Sequence, residues 1–571
     1  MSYINGSVSL NLFLVKKVKQ NINTNTLEFS SDKLSVKGSG LPETFFYDIS
    51  EEKNWSWVVC GIGIIECSRI VTKAEWRKII TQDDIKLKEL DGHWIILRWK
   101  GEIIEFYNDP LELRKLYWKQ ESDRIIFSTN LADLSDMIKN PEFSFQNYAG
   151  YFRYVNSFGN RALLKDVNRL GVGGYLKINN DKIYHKTSAW EIENYEKEGF
   201  FIEKLKSIIN INFPNRKKPV LLLSGGMDSR TVLALLKEVP DLLTLGINKN
   251  SDVILAKQIG EILNKKTQHY EYKIPSTLEE KEIVFNKMKK VVLLEFPGLL
   301  NSFDVIKEKN KEGCWVIDGG RGEVIRHGST RRILFFGQKF LRQGDFVSLG
   351  KLLETKMYPY FSKELEMSLL RWAEQEFIEA IETMPKSLSI NDWITLLQIR
   401  YRVKNSPLNG QGAYDNLIPS FMPLIQPSII RAVQSYPTKI RINNRLNNQI
   451  INNFLPLLKS IHISRHDTII PYFLHNSVIL PKVCSYVYHT FNKQNLNFSD
   501  LLMYSLKDFV LERIKSNDVR DCGWYDMNTM INISEQFFEN KIGNSLFLYK
   551  WLEVDFWREK IQSKKYLADV P

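Results

Sequence analysis

The residue types best suited to chemistry stand together at positions 221–229, Leu221-Leu222-Leu223-Ser224-Gly225-Gly226-Met227-Asp228-Ser229. Two glycines let a backbone approach a ligand where a Cβ would obstruct it. The apolar run 219–223 before them reads as a buried strand, and the stretch 230–238 after them as a helix. A glycine turn opening a helix is an anion site, because the first N–H groups have no intrahelical partner and the dipole favours negative charge. Ser224 and Ser229 add hydroxyl donors. Asp228 would repel a phosphate unless it held a divalent cation, so Mg²⁺ is implied beside a polyphosphate. The segment is not a Walker loop, since it has no G-K-[ST].

The elements that would position these residues follow from periodicity. After the loop come a strand at 242–247, a helix at 252–263 and a strand at 314–317. Strands alternating with helices predict a parallel sheet with crossovers. Before it, residues 1–200 read as short β-rich runs (57–65, 94–99, 103–107, 125–128, 175–178) bounded by Gly, Asn, Asp and Pro. Beyond about residue 340 the pattern is mainly helical, with Leu548, Trp551, Leu552 and Phe556 on one stripe that reads as core packing. The best domain boundary lies at roughly 195–215, giving domains 1–200 and 201–571.

Composition narrows the class. The chain has 571 residues, 43% hydrophobic and 25% charged, as expected of a globular protein with two or three domains. Its longest apolar run, 57–65, is about half of what a bilayer requires, so no membrane partner is expected. Five cysteines without a C-x-x-C pair suit a reducing cytoplasm. The net charge of +12 is spread along the chain without an Arg-rich tail, which reads as a solvated surface and does not call for a nucleic-acid partner.

The full S-G-G-x-D-S loop resembles that of the PP-loop ATP pyrophosphatases, and its surroundings resemble asparagine synthetases, β-lactam synthetases and lasso-peptide cyclases. Leu245 falls at the end of the strand that would cup adenine, and Asp252, Ala256 and His269 match a D…A…H spacing. Glu295-Phe296-Pro297 is similar to an E-x-P element near the substrate carboxylate. Asp318-Gly319-Gly320-Arg321-Gly322-Glu323 stands where the pyrophosphate and second-metal loop belongs, and Phe421-Met422-Pro423-Leu424-Ile425 resembles an R-x-P-F-L segment. In the N-terminal half, Leu90-Asp91-Gly92, Asp109-Pro110 with Arg114, Phe127-Ser128-Thr129 and Arg169-Leu170-Gly171 resemble family turns in the same order. The resemblance implies an adenine nucleotide α-hydrolase-like α/β domain ending in a helical region. Before it would stand a degenerate Ntn-hydrolase-like β-rich α+β domain of the glutamine-amidotransferase type.

It also implies a site. ATP would lie on Leu223, Ser224, Gly225, Gly226, Asp228, Ser229, Leu245, Asp318 and Gly319, with Mg²⁺ on Asp228 and Glu323. Catalytic roles would fall to Asp228, Glu323, Glu295 and Arg465. Three departures qualify the family pattern. A glutaminase needs an N-terminal cysteine, but position 2 is Ser2 and the first cysteine is Cys60, in Cys60-Gly61-Ile62-Gly63. Gly322 replaces the Asp before the final Glu of the metal loop. Ser464-Arg465-His466-Asp467-Thr468 puts Asp467 where relatives carry a lysine.

The expectation is an AMP-forming amide ligase acting through an acyl-adenylate without a working glutaminase. Its substrate would be a small molecule or peptide bearing a carboxylate, and a lasso-type cyclase would act on a precursor peptide alongside a leader protease. Two alternatives stay open: an asparagine synthetase homologue using aspartate and ammonia, and a non-catalytic scaffold. A tRNA-modifying PP-loop enzyme fits less well, because the thiolating ones carry cysteine pairs absent here.

Overall fold

In the strand Tyr3–Ser9, Ile4 and Val8 are buried while their neighbours are half-exposed, the period-two pattern of a strand with one covered face. The computed structural model describes residues 2–9, 17–21, 25–50, 54–179, 182–192, 200–293, 300, 302–326, 330, 332–355, 360–405, 414–465, 468–474, 483, 497–539 and 545–568. Among these, Tyr3–Ser9 pairs antiparallel with Leu34–Ser39 and Arg124–Ser128 near the middle of one seven-stranded sheet. A second sheet is centred on Ser56–Ile65 and Asp91–Lys100, also antiparallel. Ile4, Val36 and Phe127 of the first sheet share a core with Val58, Cys60 and Ile95 of the second, so the sheets stack face to face.

The two central strands of the second sheet are buried along almost their whole length. Their other face, with Trp57, Val59 and Trp94, meets Trp76 and Ile80 of the helix Lys73–Ile80. That helix starts at a capping box, Thr72 with Glu75.

The parallel sheet carries the loop of interest. Its order is Thr267–Glu271, Asp241–Gly246, Lys218–Leu222, Cys314–Asp318 and Ser420–Phe421, with every neighbouring pair parallel. The chain first builds outward on one side of Lys218–Leu222 and then returns to the other. A topological switch point therefore lies between Lys218–Leu222 and Cys314–Asp318, where a crevice opens at the strands' C-terminal ends. Helix Phe200–Ile209 packs Leu205 and Ile208 into the same core as Leu221 and Val232, and Ile62, Ile64 and Ile70 of the N-terminal half join it.

The first helix after the loop runs Met227–Leu235, three residues earlier at each end than its apolar pattern suggests. The fifth strand, Ser420–Phe421, falls within a region read as helical. Two residues carry no periodicity to read, and the strand exists because Phe421 is fully buried against the sheet. Leu548, Trp551, Leu552 and Phe556 are indeed core, in the helix Leu546–Ala568. No helix among the described residues is long and apolar enough to cross a membrane.

Buried polar contacts clasp the N-terminal sheets to the segment bearing the fifth strand. Asp91 accepts from the backbone N–H (2.8 Å) and the hydroxyl of Ser428, and Gln426 accepts from the Gly92 N–H at 2.7 Å. Asp415 meets His93 Nε2 at 2.8 Å and forms an ion pair with Arg114, all three fully or almost fully buried.

Candidate functional site

The loop begins where Lys218–Leu222 ends, with Leu223 N–H donating to the Leu243 carbonyl at 2.8 Å. Gly226 is the N-cap of helix Met227–Leu235 and no side chain caps it, so the first-turn N–H groups stand where a ligand anion would satisfy them. The hydroxyls of Ser224 and Ser229 lie 3.2 Å apart, and Gly226 N–H donates to Ser224 Oγ at 3.2 Å. These bonds, with Ser229 Oγ donating to the Ser224 carbonyl at 3.2 Å, fix the turn. Asp252, the D of the D…A…H spacing, accepts from Gly225 N–H at 2.8 Å and ties the next helix to the loop. A Cβ at Gly225 would sit 2.7 Å from Leu255 Cδ1 and 2.8 Å from Ser464 Cβ, so only glycine fits there.

The facing wall descends from Cys314–Asp318. Asp318 Oδ1 accepts from Gly320 N–H at 2.8 Å, while burial pushes its carboxyl above the usual range. Gly319 lies against the backbone of Ser229, bringing the two loops together. Any side chain at Gly322 would run into the Asp228 carboxylate, so the family's Asp cannot stand there with Asp228 as placed. Glu323 opens a single helical turn, Glu323–Arg326. At its end Arg326 grips Asp228 with both arms, Nε to Oδ1 at 3.1 Å and Nη2 to Oδ2 at 2.9 Å. Burial works against the Arg326 charge, but the Asp228 carboxylate outweighs it and its pKa is raised.

A third wall comes from the helical half. Arg230, fully buried, donates to the carbonyls of Gly225 (3.2 Å), Leu458 (3.4 Å), Ile461 (3.0 Å) and His462. It thereby straps residues 458–462 beneath the loop. The short strand Ile463–Arg465 follows, held by Ser464 N–H to Gly225 O at 3.0 Å and by Ser464 Oγ to Ser251 Oγ at 2.7 Å. Arg465 thus reaches the cavity, its pKa lowered by burial and then by the neighbouring Arg326.

Together these walls enclose a cavity of about 570 Å³. Leu223, Ser224, Gly226, Asp228, Ser229, Leu245, Asp318, Gly319, Glu323 and Arg465 all line it, whereas Gly225, expected to contact ATP, does not, its N–H being taken by Asp252. Glu295, with Phe296 and Pro297, lies outside the described residues, as do His466 and Asp467. Arg321 takes a left-handed backbone, φ 70°, and Arg326 is the arginine of that loop that lines the cavity. Two residues escaped sequence reading, Arg326 and Arg230. Arg326 shares the single turn begun by Glu323, which sets the pair three apart on one helical face, and Arg230 directly follows the loop's last serine.

For Mg²⁺, the carboxylates of Asp228 and Glu323 on one cavity are suitable hard donors, and nucleotide sites commonly supply only one or two. Among the described residues no group of three or more His, Cys, Asp or Glu is placed to hold a metal, so phosphate and water would complete the shell. One of the two carboxylates is engaged by Arg326.

The cysteine that mimics a glutaminase start is unsuited to it. Cys60 lies inside strand Ser56–Ile65, fully buried, and burial pushes its thiol up to about 12. Ser2 is also buried, its hydroxyl donating to the Thr44 carbonyl at 2.6 Å.

No protein-family model and no curated protein matches the chain. Among solved structures, it is similar to one described as the allosteric regulatory enzyme of purine biosynthesis, at 11% identity, covering 58% of this chain and 77% of that one with a TM-score of 0.21. Glutamine phosphoribosylpyrophosphate amidotransferase from B. subtilis, complexed with ADP and GMP, is similar at 10% identity, 56% and 75% coverage and a TM-score of 0.20. Likeness at that level carries no argument about function.

Proposed function

We propose that the cavity binds ATP and that the chain is an AMP-forming amide ligase of the asparagine synthetase type. Its first half would be an Ntn-hydrolase-like domain kept as a scaffold. The observation that carries the reading is the uncapped start of helix Met227–Leu235, opening on a cavity at the switch point of a parallel sheet. Adenine would lie toward Thr244 and Leu245 at the end of the adjacent strand, with the polyphosphate along Ser224, Gly226 and Ser229.

A substrate carboxylate would attack the α-phosphate, giving an acyl-adenylate and pyrophosphate, and an amine would then displace AMP. The helix N–H groups and Arg465 stabilise charge on the departing pyrophosphate. Asp228 and Glu323 would hold a divalent cation, which neutralises phosphate charge when bound. Since Cys60 is buried within a strand, the amine would come from the substrate itself, as in a lasso-peptide macrolactam cyclase acting on a precursor peptide, or from free ammonia.

A second reading, a binding scaffold without turnover, is favoured by one observation, the engagement of Asp228 by Arg326. ATP–pyrophosphate exchange tests both. Exchange that Asp228→Ala abolishes supports the ligase, and its absence with every carboxylate offered, aspartate included, overturns it in favour of the scaffold. Asparagine formed from aspartate, ammonia and ATP would replace the cyclase version by an asparagine synthetase.

A further inference from the structure

The cavity has an unusual charge balance for a polyphosphate site. Among the described residues, Asp228, Asp252, Asp318 and Glu323 line it with two arginines, Arg326 and Arg465, while the charge of Arg321 acts on Asp318 and Glu323. One of those cations is spent: both carboxylate oxygens of Asp228 are bonded to the Arg326 fork. Gly322 leaves the space into which that carboxylate fits. Arg326 and Arg465, meanwhile, repel one another across the same cavity, which is the condition under which an anion between them is welcome.

We propose, resting on the ATP reading above, that Arg326 is an exchangeable counter-ion that holds Asp228 when no nucleotide is bound and passes to the phosphates, beside Arg465, when a divalent cation engages Asp228. Arg326 is then a positioning residue in one state and a phosphate ligand in the other. The exchange keeps Asp228 and Arg326 each opposite a counter-charge in both states, whereas a fixed Asp228–Arg326 pair would leave only Arg465 of the two cavity-lining arginines for the incoming phosphates. It also explains why an arginine stands there, because only a planar fork engages two oxygens at once. It makes Arg326 a competitor of the metal, with Asp228 the object of competition.

The test separates metal from nucleotide. Mn²⁺ alone, followed by electron paramagnetic resonance, binds Arg326→Gln at least about tenfold more tightly than the parent protein, a change of one decade in Kd. Asp228→Asn in the Arg326→Gln background removes the gain. ATP in the presence of EDTA, followed by calorimetry, binds Arg326→Gln more weakly. Arg326→Lys, which keeps the charge without the fork, falls between for Mn²⁺ and provides the comparison if the glutamine variant does not fold. Unchanged or weaker Mn²⁺ binding in these variants overturns the exchange even if ATP binds. Failure of the parent protein to bind ATP with or without Mg²⁺ overturns the nucleotide reading itself.

Discussion

Replacing Arg230 by methionine tests how the site is held. The side chain is fully buried, and its charge is compensated by backbone carbonyls of Gly225, Leu458, Ile461 and His462. Leaving out the longest, to Leu458 at 3.4 Å, the three bonds to Gly225, Ile461 and His462 contribute about 1.5–3 kcal/mol each, roughly 4.5–9 kcal/mol together. Against this stands the cost of burying the charge, which pulls the guanidinium down to about 10 and amounts to about 3 kcal/mol. Methionine fills much of the volume but leaves the carbonyls without a donor, so a net loss of about 1.5–6 kcal/mol is expected. The loss should not be uniform. Residues 458–465 would detach from the loop and take Arg465 out of the cavity. Urea unfolding measures the first effect, and hydrogen exchange across 458–465 the second. A variant within about 0.5 kcal/mol of the parent, with unchanged protection there, would refute the strap.

Other substitutions probe other walls. Gly225→Ala drives a Cβ into Leu255 and Ser464, so ATP affinity measured by calorimetry should fall at least about tenfold; unimpaired binding would show that the turn has slack. Asp415→Asn breaks a buried pair with Arg114 and the contact to His93, and should cost about 3–5 kcal/mol in urea unfolding. Burial lowers the Lys404 ammonium to about 8, below its value in the unfolded chain, so between about pH 8 and pH 10 the unfolded state binds more protons and stability rises with pH. That rise, on the order of 2–3 kcal/mol, should be missing from Lys404→Met. Equal pH slopes for the two proteins would refute it.

Much of the site was legible because its chemistry is local in the chain. The order strand, Ser224-Gly225-Gly226, helix is written in consecutive residues, so it needs no long-range contact to be read. Asp318-Gly319, Glu323 and Arg465 were legible through their order along a family pattern, and they do converge on one cavity. The β-rich first half was legible from short β-rich runs bounded by Gly, Asn, Asp and Pro, and its two-sheet stacking was not, since a strand such as Ser56–Ile65, buried on both faces, has no alternation to show which sheet covers it.

Sequence alone thus determined the loop, the parallel sheet that carries it and the absence of a cysteine at position 2. Only the tertiary structure decided who pairs with whom. Arg326 on Asp228 joins residues 98 positions apart, and Arg230 on Ile461 residues 231 apart. No local propensity encodes such pairs. They form because a buried charge must find its counter-charge or its carbonyls in whatever the fold brings alongside.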